Sequence, residues 1–319
     1  MKKLIKLVKI MLSLLILSLL IFSADNVRAS CLEALLLCGR LIIPSLFPFF
    51  VLSAYITRLG LPGILGRLIS PFTRRIYGIS PAGASALMMG FVGGYPAGAV
   101  YISELAKEGM ISPEEGERLL AFCNNSGPAF IVGVMGSGIF GSVKTGLVLY
   151  AVHILSALIC GLFFRAKNCS AENIQHRLDE TDTIEAIVAS VRQAVSSILN
   201  VSGFMIFFSV LVSLLDTGGF FSQLCTLFAQ ISGLSPKLIK AAFIGLLELG
   251  SGSAAMAGSN PSPLSLAIAS AMLSWGGLSV HFQTMAVLSD SKIKGSLHLA
   301  GRLISAITAF ILMYAISLF

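Results

Sequence analysis

Charged side chains are scarce in this chain. Of its 319 residues, 12% are Asp, Glu, Lys or Arg, whereas 55% are hydrophobic, and the mean hydropathy is +0.89. About a quarter of the residues in a typical soluble domain are charged, so the composition excludes a water-soluble protein. The net charge of +7 is not gathered into a basic patch with interleaved aromatic residues. The sequence therefore predicts no nucleic-acid partner.

Metal ligands and catalytic groups are also few. The six cysteines form no C-x-x-C pair, and the four histidines show no metal-ligand spacing with them. Cysteines in such a setting are usually small apolar side chains within helices. The sequence offers no ordered set of nucleophile, base and acid. We therefore expect no metal, no cofactor and no enzymatic activity.

Long apolar runs make up most of what is present. A helix needs roughly 20 apolar residues to cross a bilayer, and seven stretches suit this role: 4–23, 33–57, 119–140, 146–165, 194–215, 264–288 and 296–317. Two further apolar stretches, 81–107 and 236–256, are interrupted by Gly, Ser or Pro. The predicted fold class is an all-α polytopic membrane protein embedded in the lipid bilayer.

Basic residues indicate how the chain is oriented. The N-terminal segment, residues 1–32, joins a lysine-rich start to an apolar core, so it is either a retained membrane helix or a cleaved signal-like segment. Its lysines and the arginines of the loop 58–80 predict a cytoplasmic location for both. The polar stretch 166–185 is then a cytoplasmic linker between two membrane units, residues 33–165 and 186–319.

The stretch GFVGGYPAGA, residues 90–99, interrupts one apolar region with glycines and a proline. Irregular backbone is tolerated at membrane depth only where it is buried in protein or lines a cavity. We therefore predict a re-entrant hairpin whose tip contains Gly93, Gly94, Pro96 and Gly98 and contacts a solute. The G-x-x-x-G spacing within the tip leaves close helix packing as an alternative role.

The two halves of the chain resemble each other. Residues 78–99 align without a gap to residues 233–254, with Gly, Ser, Pro and Gly at four matching positions. Each half contains three full spans by our count, and an odd number makes the second half inverted relative to the first. Inverted repeats with broken helices near the midplane are typical of secondary transporters.

A second interruption follows in the first half. Asn124, Asn125 and Ser126 precede a Gly-Pro pair that breaks the helix. Amide and hydroxyl groups at such a break can hydrogen-bond a polar solute. The alternative is that they cap the broken helix ends.

Glu248 is the most conspicuous residue of the second half. It lies in an apolar run, and an acidic group at membrane depth is a functional candidate by default. It could contact a solute or a coupling cation, pair with His281 or Arg40, or cap a helix end. Ser251 and Ser253 follow it at the second hairpin tip, and His281 follows a glycine pair in a later span. We include all three among the candidate solute-binding residues.

Several of these stretches resemble a known family. PSLFPFFVLS (44–53), GFVGGYPAGA (90–99), EGERLLAFCNNSGPAFIVG (115–133) and LLELGSGS (246–253) resemble the YlbJ-type sporulation integral membrane proteins of endospore-forming bacteria. That family carries the nucleoside recognition, or Gate, domain. The domain is also similar to parts of concentrative nucleoside transporters and of ferrous-iron transporters. The resemblance covers nearly the whole chain from about residue 33.

The resemblance implies a role in sporulation, in the cell membrane of the forespore or of the mother cell. With the repeat, it predicts a transporter for a small polar solute, driven by the solute's own gradient or by a coupling cation, because the sequence has no ATP-binding motif. A membrane scaffold or assembly protein needed for spore formation is the alternative function. The solute, a protein partner and a homo-oligomer are left open at this point.

Overall fold

A computed structural model describes residues 2–166, 182–216, 218–289 and 291–318. Every regular element in these ranges is helical. The expected membrane fold is thereby confirmed as all-α. Most of the predicted linker 166–185 lies outside the described residues.

The first half contains eight α-helices and two π-helical segments. They are α1 (Lys2–Phe22), α2 (Ala24–Leu37), a π segment (Cys38–Ile42), α3 (Ile43–Arg58), α4 (Leu61–Tyr77), α5 (Pro81–Gly93), α6 (Ala97–Lys107), α7 (Pro113–Cys123), a longer π segment (Ala129–Ile139) and α8 (Val143–Phe163). The helix from α2 to α3 is continuous, and it crosses the predicted segment boundary at residue 32. Its polar start at Asp25 and Arg28 is accommodated because neither residue breaks a helix.

The described residues of the second half form seven α-helices. They are α9 (Thr183–Leu215), α10 (Phe220–Ser232), α11 (Pro236–Leu247), α12 (Leu249–Ala255), α13 (Pro263–Trp275), α14 (Gly277–Leu288) and α15 (Ser296–Ile316). The Asp182 carboxylate accepts a hydrogen bond from the Ile184 backbone N–H at 3.2 Å and fixes the start of α9. Helix α9 therefore begins two residues before the predicted end of the linker.

Five helical segments in the described part are long and apolar enough to cross a membrane: Ala24–Arg58, Val143–Phe163, Thr183–Leu215, Pro263–Leu288 and Ser296–Ile316. Helices α4 and α5 meet at 101°, so this pair is a broken span or a re-entrant segment. Many large apolar side chains on the long helices are exposed. In a bilayer, lipid would cover them, which is the arrangement of a multi-pass membrane protein.

The order of elements in the first half recurs in the second. Each half has a long helix, a short helix that ends at a left-handed glycine, a helical hairpin, a broken span and a final span. The hairpins begin alike, because Ser80 and Ser235 each cap the first turn of a helix whose next residue is proline. The left-handed glycines, Gly78 and Gly233, lie two residues before these caps.

Close glycine contacts bring the hairpin tips and the helix breaks together. A Cβ on Gly94, at the first tip, would lie 2.8 Å from the backbone nitrogen of Gly127, at the first break. A Cβ on Gly277, at the second break, would lie 3.2 Å from Cα of Glu248, at the second tip. Each tip therefore packs on the break of its own half, and the four interruptions surround one central region.

Candidate functional site

A small cavity lies where the hairpin tips and the first break converge. Its volume is about 60 Å³, which is room for a few water molecules. Four of the predicted site residues line it: Gly93, Gly94, Ser126 and Glu248. Its walls are mainly apolar, and include the rings of three phenylalanines, Phe49, Phe50 and Phe130.

Glu248 both lines the cavity and caps a helix. It stands alone between α11 and α12 with extended backbone, and its side chain is 6% exposed. One carboxylate oxygen accepts the Gly250 backbone N–H at 2.8 Å, and the other accepts the Ser251 backbone N–H. Each oxygen has a second lone pair, so the carboxylate can still accept hydrogen bonds from a ligand. No basic nitrogen of the described residues lies within ion-pairing distance of it.

The polar residues of the first break are held by the protein itself. The Asn124 side chain accepts the Ala99 backbone N–H at 3.3 Å and donates to the Thr284 hydroxyl at 2.9 Å. The Asn125 amide nitrogen donates to the Phe122 carbonyl at 2.8 Å. The two asparagines are fully buried: Asn125 caps the broken end of α7, whereas Asn124 joins the break to α6 and α14. Ser126 lines the cavity, whereas Asn124 and Asn125 lie behind it.

The remaining predicted residues lie away from the central cavity. Gly98 packs on the first break, since a Cβ there would lie 2.6 Å from the Cys123 carbonyl oxygen. Pro96 lines a separate pocket of about 30 Å³ beside the first tip. The Ser253 hydroxyl donates to the Leu249 carbonyl at 2.7 Å within its own helix.

His281 also lies off the cavity, in a row of rings. Its imidazole centroid is 4.4 Å from that of Trp275 and 5.0 Å from that of His298. Neither of its ring nitrogens has a hydrogen-bond partner among the described residues. The row fills the space between α13, α14 and α15 and does not reach the wall of the cavity.

A polar vestibule of about 410 Å³ lies beside the second hairpin. It is lined by Glu33, by the ion pair of Lys240 and Asp216 at 3.3 Å, and by Ser251. The Ser251 hydroxyl is hydrogen-bonded to the Ser209 hydroxyl at 2.8 Å. Because Ser251 follows the cavity-lining Gly250, the second tip forms the partition between vestibule and cavity.

His153, which no sequence pattern singled out, connects the two broken spans. The Ser126 backbone N–H donates to His153 Nε2 at 3.1 Å, so that nitrogen carries no proton. In the neutral ring the proton is then on Nδ1, which donates to the Ser274 hydroxyl at 2.9 Å. This fully buried imidazole therefore fixes the position of the first break relative to α13.

Two further site residues were also missed. Gln283 lines the cavity, and its amide oxygen is buried without a hydrogen-bond partner. Arg302 is fully buried in α15, and its guanidinium donates to Tyr95 Oη, Asn125 Oδ1 and the Ala121 carbonyl at 3.1, 3.0 and 2.9 Å. Arg302 carries the same sequence signal as Glu248, a lone charge in an apolar span, and could have been found by it.

No family model matches the chain. Its sequence is 32% identical over 301 residues to the sporulation integral membrane protein YlbJ of Bacillus subtilis, and the alignment covers 85% of this chain and 72% of that protein. The chain belongs to the YlbJ family. The resemblance to the YlbJ-type proteins is thus confirmed, and this YlbJ-family protein is an integral membrane protein with several helical spans.

The fold is shared with two solved structures. CNTnw in an inward-facing, substrate-bound state superimposes with a TM-score of 0.58 at 16% identity, over 98% of this chain and 84% of CNTnw. A doubly substituted CNTnw in an outward-facing state gives a TM-score of 0.53 at 17% identity, over 98% and 85% of the two chains. At such identities the likeness establishes a shared fold.

Proposed function

We propose that this protein is a transporter for a small solute that binds between the two hairpin tips. The observation that carries the proposal is the convergence of both tips and the first break on one cavity, whose lining includes the Glu248 carboxylate with unused lone pairs and Gln283, the amide oxygen of which has no hydrogen-bond partner. The relative's name supports a role in sporulation as an integral membrane protein, and we place the protein in the membrane of the forespore or the mother cell. Residues 33–165 and 186–319 would then be two inverted Gate-like repeats that move relative to each other.

The polar atoms of the cavity indicate the chemistry of the solute. Glu248 has unused lone pairs, and the amide oxygen of Gln283 has no partner. Both are acceptors, so the ligand supplies hydrogen-bond donors such as hydroxyl, amino or amide N–H groups. No Lys, Arg or His is among the described residues that line the cavity. A solute with a negative charge would face the Glu248 carboxylate without a compensating cation.

The walls indicate the rest of the solute. Phe49, Phe50 and Phe130 offer apolar and aromatic surface around the polar end of the cavity. Such a combination favours a ligand with an apolar or flat body and a few donor groups at one end. A cavity of about 60 Å³ is small for such a molecule, so the proposal requires the site to widen when the solute binds.

Access to the site would alternate between the two hairpins. The vestibule beside the second tip is about 410 Å³ in volume, whereas the pocket beside the first tip is about 30 Å³. We infer that displacement of the second tip, which breaks the Ser209–Ser251 hydrogen bond, joins the vestibule to the cavity. Displacement of the first tip would open the opposite route.

A ligand-stabilisation screen with a matched variant tests this function. Melting temperatures of the detergent-purified protein are recorded with nucleosides, bases, polyols, amines and dicarboxylates, for the wild type and for Gln283→Met. Methionine matches glutamine in shape and removes the unpartnered amide oxygen. We expect the variant without ligand to be at least as stable as the wild type. A ligand present at a hundred times its dissociation constant stabilises the folded state by about 2.7 kcal/mol.

The transporter function predicts a shift with donor-bearing solutes that is reduced in Gln283→Met, and no shift with dicarboxylates. Uptake of the same solute into proteoliposomes would then demonstrate transport. If no compound stabilises the wild type and Gln283→Met remains fully folded, the proposal fails. The protein would then be better described as the membrane scaffold or assembly protein that the sequence left as the alternative.

A further inference from the structure

The side chain of Arg302 presents an electrostatic problem. It is fully buried in α15, within a membrane protein, and arginine stays protonated in proteins. No carboxylate of the described residues lies within ion-pairing distance of it. A buried charge in the membrane requires compensation by other groups. The compensating groups are the three oxygens to which the guanidinium donates, on Tyr95, Asn125 and Ala121.

These three oxygens come from the interruptions of the first half. Tyr95 belongs to the first hairpin tip, Asn125 to the first break, and the Ala121 carbonyl to the last turn of α7. The C-terminal end of a helix carries partial negative charge and favours a cation. In transporters with broken helices, such carbonyl ends and unwound segments are where coupling cations bind. Arg302 therefore lies among the kinds of groups that bind a free cation in such transporters.

The close packing of α15 against the end of α7 brings this guanidinium to the three oxygens. A Cβ on Gly301 would lie 2.2 Å from the Ala121 carbonyl oxygen, so only glycine lets α15 approach the end of α7 so closely. The neighbouring Cys160 thiol donates to the Gly301 carbonyl at 3.3 Å. The Asn125 side chain is oriented for the same purpose, since its nitrogen bonds Phe122 and leaves its oxygen to Arg302.

We propose that Arg302 is a tethered cation that occupies the coupling-ion position at the first helix break. This proposal deepens the transporter function and rests on it. The guanidinium holds the tip, the break and the helix end together by donating to these three oxygens. No metal ion is then required to bind them. Order at the first tip, and solute binding beside it, then do not depend on sodium, potassium or lithium. The coupling cation that the sequence left open would not bind at this break.

The first test compares cations on the wild-type protein. Melting temperatures are measured in the chlorides of sodium, potassium, lithium and N-methyl-D-glucamine at equal ionic strength. We expect the four values to coincide. A saturable stabilisation by one alkali ion relative to N-methyl-D-glucamine would overturn the proposal. This comparison uses no variant, so it is decisive even if every substitution of Arg302 prevents folding.

The second test restores the missing group chemically. Arg302→Ala is expected to melt below the wild type, and added methylguanidinium is expected to raise its melting temperature saturably. Arg58→Ala is the matched control, because Arg58 is exposed and bonds only Gln193 at 3.1 Å among the described contacts, and it should not respond. Arg302→Lys should keep more stability than Arg302→Met, which fills the space without a charge. Equal melting temperatures for Arg302→Met and the wild type would contradict the assignment.

The two proposals fail in different ways. If no solute binds the wild type but the cation and methylguanidinium results are as expected, the transporter function is lost and the assignment of Arg302 stands. If a solute binds only in the presence of one alkali ion, the transporter function stands and the assignment of Arg302 is lost.

Discussion

Glu248→Gln should destabilise the second hairpin even when no solute is present. In the wild type, the two carboxylate oxygens accept the backbone N–H groups of Gly250 and Ser251. Glutamine keeps one acceptor and turns an amide N–H₂ group toward the other N–H. Loss of one such charge-assisted bond at a buried site costs roughly 1–3 kcal/mol. The net free energy of unfolding should fall by somewhat less, because a buried carboxylate is also removed.

The assay is thermal unfolding of the purified protein without ligand. At about 2–4 °C per kcal/mol for a chain of this size class, the expected decrease in melting temperature is roughly 2–10 °C. Glu248→Asp is the control, since aspartate retains the charge and is a favoured helix cap. It should lie closer to the wild type than Glu248→Gln does. A Glu248→Gln protein as stable as the wild type would show that the carboxylate does not cap α12, and the reasoning would fail.

Three further substitutions each test one contact of the structure. Gly90→Ala should abolish a monodisperse folded protein in size-exclusion chromatography, because its Cβ would lie 1.6 Å from the Cys123 carbonyl oxygen; Gly203→Ala, with open space around it, should not. His153→Phe should lower the melting temperature, because the buried Ser126 N–H then has no acceptor, which costs roughly 1–3 kcal/mol. An unchanged melting temperature would contradict the role of His153 in fixing the first break. Lys240→Ala should change the stability by less than about 1 kcal/mol, as expected of a partly exposed ion pair.

The fold was largely predictable because its signals are local. Apolar runs predict the spans, and the Ser-Pro pairs at 80–81 and 235–236 indicate where a helix starts in each half. The breaks at 124–128 and 275–277 were predicted from Gly and Pro in the same way, and helices end and begin again there. The start of the continuous helix from α2 to α3 was not predicted. Its polar residues near 25–28 look like the end of a membrane segment, although they are compatible with a helix.

The site was predictable only in part. Gly93, Gly94 and Glu248 were visible because a Gly- and Pro-containing interruption and an acidic group are conspicuous in apolar runs, and they do line the cavity, whereas Gly98 does not. Whether a polar side chain faces the cavity or the surrounding protein depends on contacts between distant segments. Asn125 bonds Arg302 across 177 positions, and no local pattern reveals that. His281 had the sequence features of a ligand, yet the rotation of α14 directs Gln283 to the cavity instead.

Tyr95 has a consequence for how the two halves can evolve. It belongs to the first half, yet its hydroxyl accepts from Arg302 in the second half, and a Cβ on Gly276 would lie 3.3 Å from its ring. A change at one of these three positions therefore removes space or a partner from the other two. Although the halves resemble duplicated copies, they cannot diverge independently at this junction. Among relatives, residues 95, 276 and 302 should vary together or not at all.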